Sequence, residues 1–266
     1  MFLNHYIPNP VAFTAFGVDI MWYGILVGTG MLLGGALMVK RAPKHGIKRE
    51  RVADVLLISI PAGVVGARLY YVAFNWGAYS EDFWRIANLR LGGLAIHGGL
   101  ILGILAAFAL CMRYKIKPLR FYDLAAPSLA LGQAIGRWGN YFNSEAHGGP
   151  TDLPWAIPVG GEMVHPTFLY ESLWCLLLFV LLSFLLGRRF FEGQITLLYG
   201  ILYSLERFFV EILRTDSLML GTLKQAQVVS VSVFAICLLF YVILYSYHRS
   251  VKKKGADFSY LARNKM

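Results

Sequence analysis

Seven separate apolar stretches place the strongest constraint on what this chain can fold into. They cover residues 21–39, 52–74, 94–112, 121–142, 167–186, 194–213 and 226–247. A helix of roughly 20 mainly apolar residues is long enough to cross the hydrocarbon core of a bilayer. With 57% apolar and only 15% charged residues, the chain is too apolar for an ordinary soluble domain. We therefore predict an all-α, polytopic membrane protein in which residues 1–266 form a single transmembrane domain of about seven helices.

The basic residues between these stretches predict the orientation of the helices. KRAPKHGIKRER follows the first stretch, RYKIKPLR the third, RR the fifth and HRSVKKK the seventh, and the other connections contain fewer Lys and Arg residues. Basic loops remain on the cytoplasmic side of a membrane. This pattern places the C-terminus in the cytoplasm, and the N-terminus and a small loop region around residues 143–165 outside. The N-terminal MFLNHYIPNP has neither a basic start nor an uninterrupted apolar core, so we expect an uncleaved first helix.

Charge and cysteine usage argue against several other classes of ligand. The net charge of +10 is divided among short segments and does not form one basic face, so nucleic acid is not predicted as a partner. Cys111, Cys175 and Cys237 are widely spaced within apolar stretches, and no two histidines have a metal-ligand spacing such as HxxxH. We predict neither a metal site nor a cofactor.

The sixth stretch carries a polar stripe. Tyr203, Arg207, Glu211 and Arg214 follow one another at helical spacing, which places them on one face of an apolar helix. An Arg207–Glu211 pair that neutralises itself inside the protein is one interpretation. A site for an anion is the other, because Arg214 adds a second cation to the same face.

The end of the fourth stretch carries a second polar group. In GQAIGRWGNYFNSEAHGGP, Arg137 and Asn140 share a helical face that Asn143 continues, and Glu145 and Gly148 follow in the loop. Charged residues at this depth usually face a cavity or a partner. Two guanidinium groups that face one cavity suit a phosphate, and an anionic phospholipid is the ligand expected in a membrane.

A lone histidine opens the third stretch. His97 lies among glycines in GGLAIHGGL. It is either a packed hydrogen-bond donor or a base, and the residues alone leave both interpretations open.

The motif GRWGNYFNSEAHGG resembles the signature of the prolipoprotein diacylglyceryl transferase family. MWYG, HGGL, HPTFLYES and YSLERFFVEILRTD occur in the order typical of that family, so the resemblance covers nearly the whole chain. Phe168 departs from it, because many members have Gln there. The resemblance implies a seven-helix enzyme of the bacterial cytoplasmic (inner) membrane, with its site toward the outer side.

The resemblance also implies a reaction and a set of residues. The diacylglyceryl group of phosphatidylglycerol, a membrane lipid, is transferred to the thiol of the lipobox cysteine of a prolipoprotein signal peptide, with release of glycerol phosphate. The implied catalytic residues are Arg137, Arg207, His97 and Glu145, with His97 or Glu145 as the proton acceptor. The implied substrate-binding residues are Tyr23, Asn140, Asn143, Gly148, Tyr203, Glu211 and Arg214. His165, Tyr170 and Glu171 are implied as supporting residues.

A transporter or flippase for an anionic lipid or solute is the alternative function. Arginines inside the membrane also line translocation paths. Transporters commonly have two related halves, however, and the first half of this chain has no counterpart of GRWGN. The sequence therefore favours a transferase.

Overall fold

The computed structural model describes residues 8–80, 82–88 and 92–263, with side chains described up to Lys252. Most of the N-terminal segment on which the uncleaved-anchor prediction rests, residues 1–7, lies outside this part of the chain. The helices are α1 (Trp22–Arg41), α2 (Arg49–Phe74), α3 (Trp84–Ala87), α4 (Ile96–Arg113), α5 (Pro118–Phe142), α6 (Thr167–Leu186), α7 (Gln194–Leu213) and α8 (Gln225–Arg263). The strands are β1 (Val11–Ala15), β2 (Val18–Met21), β3 (Ile157–Val159), β4 (Glu162–Val164), β5 (Met219–Leu220) and β6 (Leu223–Lys224).

The long helices confirm a mostly helical membrane protein. Among the described residues, five segments are long and apolar enough to cross a membrane: Trp22–His45, Arg49–Phe74, Ile96–Arg113, Thr167–Leu186 and Gln225–Lys252. The fourth and sixth predicted stretches are also helical, as α5 and α7, but they do not belong to this set. These two helices carry the polar residues singled out above, so a count of seven spans stays a prediction.

Three short hairpins in the described part of the chain qualify the all-α prediction. Each is a two-stranded antiparallel sheet, formed by β1 with β2, β3 with β4, and β5 with β6. Val159 pairs with Glu162, which leaves only Gly160 and Gly161 in the turn, and both have positive φ angles. Two-residue turns of this backbone conformation match the twist of a hairpin. Gly160 and Gly161 are a sequence signal for a hairpin, but a search for long apolar stretches does not detect it.

The chain divides into two compact units, residues 35–121 and residues 1–34 with 122–266. In the unit 35–121, α2 packs closely on α4, because a Cβ atom on Gly66 or Gly98 would overlap the backbone of the other helix. Arg68, which is 3% exposed, donates hydrogen bonds to backbone carbonyls that follow α2. The acceptors are the carbonyl oxygens of Arg85, Ile86, Asn88, Gly92 and Gly93.

In the other unit, α1 packs against α5 through small residues. A Cβ atom on Gly30 would lie 2.8 Å from the carbonyl oxygen of Gly132, and one on Gly34 would lie 2.8 Å from that of Ser128. Glycine at these positions lets the two helix backbones approach closely.

A buried carboxylate fixes the start of α7 in the same unit. Asp123 on α5 is fully buried and accepts hydrogen bonds from the backbone N–H groups of Gly193, at 2.8 Å, and Thr196, at 3.0 Å. The Thr196 hydroxyl also donates to it, and Arg189 lies 3.6 Å away. The first N–H groups of a helix have no partner within the helix, and a negative charge there is favoured by the helix dipole. Asp123 therefore caps α7 from a neighbouring helix.

We expect Asp123→Ala to lower the free energy of unfolding by about 2 kcal/mol, because it leaves buried N–H groups of α7 without an acceptor. The measurement is thermal unfolding of the purified protein in detergent. Asp152→Asn is the matched control, since Asp152 is exposed. Equal melting temperatures for the two variants would contradict the capping role.

Candidate functional site

Two arginines from different helices meet at one buried carboxylate. Glu171, on α6, is 1% exposed at its side chain. Its Oε1 lies 3.0 Å from Nη1 of Arg207, on α7, and its Oε2 forms an ion pair with Nε of Arg137, on α5. The guanidinium groups that the sequence placed on two separate helices therefore do converge, and the group between them is a carboxylate of this chain.

The polar stripe of α7 extends this cluster. Nη2 of Arg207 lies 2.6 Å from Oε2 of Glu211, which is 2% exposed at its side chain. Arg137 Nη2 donates to the Tyr203 hydroxyl at 3.2 Å. The self-neutralising Arg207–Glu211 pair is thus present, but Arg207 also reaches Glu171. Arg207 therefore fits both interpretations of the stripe, because it pairs with Glu211 on its own helix and also converges with Arg137 on Glu171.

Arg214 does not supply the surplus cation that the sequence suggested. α7 ends at Leu213, and Arg214 follows it in an extended conformation. Its Nε and Nη2 donate to the two carboxylate oxygens of Asp216, each at 2.9 Å, and its Nε is 4.0 Å from Oε2 of Glu211. Partial burial opposes ionisation of Asp216, but the hydrogen bonds and charge of Arg214 outweigh it and lower the pKa of this carboxyl. The positive charge of Arg214 is therefore compensated within the loop.

Asn140 and Asn143 both donate hydrogen bonds to the side chain of Glu145. Each side-chain amide donates to Oε1 of Glu145, at 3.0 Å and 3.1 Å. The backbone N–H of Glu145 also donates to the carbonyl of Asn140, at 3.1 Å, so the end of α5 folds back on itself. The spacing of the two amides predicted a shared face, and the structure adds that this face orients a carboxylate. A small cavity of about 10 Å³ is lined by Asn140, Glu145 and His147, among others.

Close packing explains two further residues of the predicted set. A Cβ atom on Gly148 would lie 2.6 Å from that of His165 and 3.1 Å from the carbonyl oxygen of Leu213. Gly148 therefore lies where the loop packs against the start of α6 and the end of α7, and this position has no room for a side chain. Tyr23, at the start of α1, packs against Gly139 of α5, where a Cβ atom would lie 2.6 Å from the Tyr23 ring.

His97 belongs to the unit of residues 35–121. It is exposed at the start of α4, with its ring centroid 6.1 Å from that of Tyr70. Its role as a base stays a prediction. Among the described residues there is no group of three or more His, Cys, Asp or Glu side chains able to hold a metal ion.

The sequence pattern missed several members of the cluster. Glu171 was only a supporting residue of the resemblance, yet it links both arginines. Glu206 and Asp216 were not selected. Glu206 directly precedes Arg207 and is 8% exposed, so a second acidic residue in an apolar stretch was the signal that could have identified it.

Fold and site together define a polytopic membrane protein with a buried cluster of arginines and carboxylates in its helices, an arrangement that marks functional sites in membranes. Residues 10–243 match the family model described as prolipoprotein diacylglyceryl transferase, and the chain belongs to this family.

Similar proteins include three bacterial proteins, each named phosphatidylglycerol–prolipoprotein diacylglyceryl transferase. The one from Clostridioides difficile (strain 630) is 53% identical over 220 residues, which cover 83% of this chain and 89% of that protein. The one from Finegoldia magna is 50% identical over 224 residues, covering 84% and 90%. The one from Clostridium novyi (strain NT) is 45% identical over 232 residues, covering 84% and 90%.

We expect Glu171→Gln to lower the free energy of unfolding by about 3 kcal/mol, because removing one partner leaves buried guanidinium charge without compensation. Thermal unfolding in detergent measures the change. Glu145→Gln is the matched control, since Glu145 is exposed and its amide donors retain an acceptor. A melting temperature of Glu171→Gln equal to that of the control would show that the arginines do not depend on this carboxylate.

Proposed function

We propose that this protein transfers the diacylglyceryl group of phosphatidylglycerol to the thiol of a lipobox cysteine in a prolipoprotein, the first step of lipoprotein maturation. The names of its relatives support the substrates and the transferase class. The structural observation that carries the proposal is the convergence of Arg137 and Arg207 on one oxyanion, the carboxylate of Glu171. A position that attracts two guanidinium groups suits a lipid phosphate.

The reaction is a displacement at the carbon of the diacylglyceryl group that is bonded to the phosphate oxygen. The cysteine sulfur forms a bond to this carbon, and the bond between the carbon and the phosphate oxygen breaks. Glycerol phosphate leaves with the electron pair of the broken bond. The thiol proton moves to a base of the enzyme, because the thiolate is the attacking form.

Arg137 and Arg207 hold the phosphate in this proposal and stabilise the charge that develops on the leaving oxygen. Glu171 and Glu211 balance the two guanidinium charges in the structure, so the phosphate has to compete with a carboxylate for them. Glu171 therefore keeps the arginines pointed toward one place before the lipid binds, and preorganised donors need little rearrangement during the reaction.

The other residues of the predicted set shape the site around the arginines. Tyr203 accepts a hydrogen bond from Arg137, and Asn140 and Asn143 hold Glu145. Tyr23, Gly148, Glu211 and Arg214 complete the proposed substrate-binding set.

His97 is the proposed base. Oε1 of Glu145 already accepts two amide hydrogen bonds, so Glu145 is better suited to orienting polar groups than to taking the thiol proton. Histidine is the side chain most often used for this role near neutral pH.

The proposed location is the bacterial cytoplasmic membrane, with α5 and α7 as two further spans beside the five apolar ones. Seven spans put the two termini on opposite sides of the membrane, and the basic segments predict that the N-terminus is outside and the C-terminus in the cytoplasm. The whole chain then works as one catalytic transmembrane domain.

We expect Arg137→Lys and Arg207→Lys each to lower kcat/KM by about 100-fold, because an ammonium group cannot reproduce the planar, bidentate donor pattern of a guanidinium. The assay follows thioether-linked lipid and free glycerol phosphate, with labelled phosphatidylglycerol and a lipobox peptide. Arg249→Lys, at an exposed position on α8, is the matched control. Full activity in both site variants would rule out the phosphate clamp.

We expect His97→Ala to remove the acid-side fall of the pH–rate profile that protonation of a histidine base produces. The comparison variant is Glu145→Gln, which is expected to keep this fall at a lower rate. A profile that is unchanged in His97→Ala and flattened in Glu145→Gln would assign the base to Glu145 instead.

A further inference from the structure

Glu206, on α7, is a buried carboxyl group that the proposed mechanism does not use. The residue is 8% exposed, and among the described residues neither of its carboxyl oxygens accepts a hydrogen bond. Burying a polar group without a hydrogen bond is costly, and the cost is larger for a charged group. An acceptor with two free oxygens at this depth therefore needs an explanation.

The other acidic side chains of the cluster are committed to partners. Glu171 contacts Arg137 and Arg207, Glu211 contacts Arg207, and Asp216 binds Arg214 through both oxygens. Among these carboxyl groups, Glu206 is the one that makes neither an ion pair nor a hydrogen bond with the described residues.

Helical spacing places Glu206 on the face of α7 that contacts α5. Tyr199, Tyr203 and Glu206 follow at i, i+4 and i+7, so they share one face of α7. On this face the hydroxyl of Tyr199 donates to Gln133 at 2.6 Å, and that of Tyr203 accepts from Arg137 at 3.2 Å. Glu206 is the next residue along the face toward the C-terminal end of α7.

The charges around Glu206 belong to the same site. It interacts electrostatically with the carboxylate of Glu171 and with the guanidinium groups of both site arginines. Both arginines are ion-paired with Glu171, and neither forms an ion pair with Glu206 among the described contacts. A group that satisfies Glu206 has to bring its own donor.

We infer that Glu206 accepts hydrogen bonds from the hydroxyl groups of the lipid headgroup and so selects a phosphodiester that carries a polyol. This inference rests on the proposed function. In phosphatidylglycerol one CH₂ group separates the phosphate oxygen from the two hydroxyl-bearing carbons, so a phosphate held by the two arginines brings donors to a neighbouring acceptor. Glu206 then determines donor specificity, and the arginines determine phosphate binding.

The test compares two lipid donors that differ only in these hydroxyl groups. Phosphatidylglycerol and phosphatidylpropanol have the same phosphodiester charge, and only the first has headgroup hydroxyls. The full-length protein, purified in mixed micelles, is assayed with each donor and a lipobox peptide, and kcat/KM is measured from thioether formation.

We expect the wild-type protein to prefer phosphatidylglycerol by roughly 10- to 100-fold, as for a lost hydrogen bond to a charged group. In Glu206→Met the preference falls to within about twofold, because the rate with phosphatidylglycerol drops and the rate with phosphatidylpropanol does not. Glu206→Gln keeps an acceptor oxygen and retains part of the preference. Asp123→Asn is the matched control, a buried carboxyl with its own donors at the other end of α5, and its donor preference is unchanged.

Three results would overturn the inference. The first is a wild-type protein without preference between the donors. The second is a preference that persists in Glu206→Met. The third is an equal loss of rate with both donors in Glu206→Met, which would indicate a proton-transfer or structural role. If the wild-type protein forms thioether from neither donor, the proposed function itself fails.

Thermal unfolding provides a second readout that does not need turnover. Replacing an unpartnered buried carboxyl by an apolar side chain of similar length leaves stability unchanged or raises it, so Glu206→Met is expected to melt at or above the wild-type temperature. Phosphatidylglycerol should raise the melting temperature of the wild-type protein more than phosphatidylpropanol does. The two lipids should raise the melting temperature of Glu206→Met by equal amounts. A clear loss of stability in Glu206→Met together with an unchanged lipid preference would mark Glu206 as a structural residue.

Discussion

The structure of this site depends on the compensation of charge inside a membrane protein. An arginine deep in a helix bundle is stable only if a partner balances it, and here Glu171 balances two at once. Three helices, α5, α6 and α7, therefore contribute to one ionic contact. Because each partner lies on a different helix, the charges hold the helices together and also define a place where an oxyanion is stabilised.

The hydrogen bonds that accompany these ion pairs form a series between α5 and α7. Asp123 meets the start of α7, Gln133 meets Tyr199, and Arg137 meets Tyr203. Polar contacts at three levels fix the register of the two helices, since sliding one helix would break all three. Apolar packing alone specifies register less sharply, because neighbouring turns of leucine and valine resemble one another. The relative position of Arg137 and Arg207 in the site depends on this register of α5 and α7.

The helices could be predicted from the sequence, because they depend on local periodicity. The convergence of the two arginines was expected on another ground, since charged residues inside a membrane usually face a shared cavity or partner. Residues 167–186 and 194–213 were predicted to be helical, and α6 and α7 have the same bounds. Features that depend on where the chain turns were harder to predict. Arg214 fits the helical spacing of the stripe but lies one residue beyond the end of α7, where Asp216 binds it. The central position of Glu171 depends on three helices packing together, which no single segment reveals.

The ends of α7 are held by side chains from outside the helix. Asp123 binds its first N–H groups. The ammonium group of Lys224 donates to the carbonyl of Glu211 in its last turn, at 2.7 Å, and to that of Arg214 just after it, at 2.7 Å. A negative charge at the N-terminus and a positive charge at the C-terminus are the arrangement that the helix dipole favours, and together they hold both ends of α7 in place. Exchange of Glu171 for an incoming anion then has to be absorbed by rotation of the long arginine side chains, while the backbone that carries them stays in place.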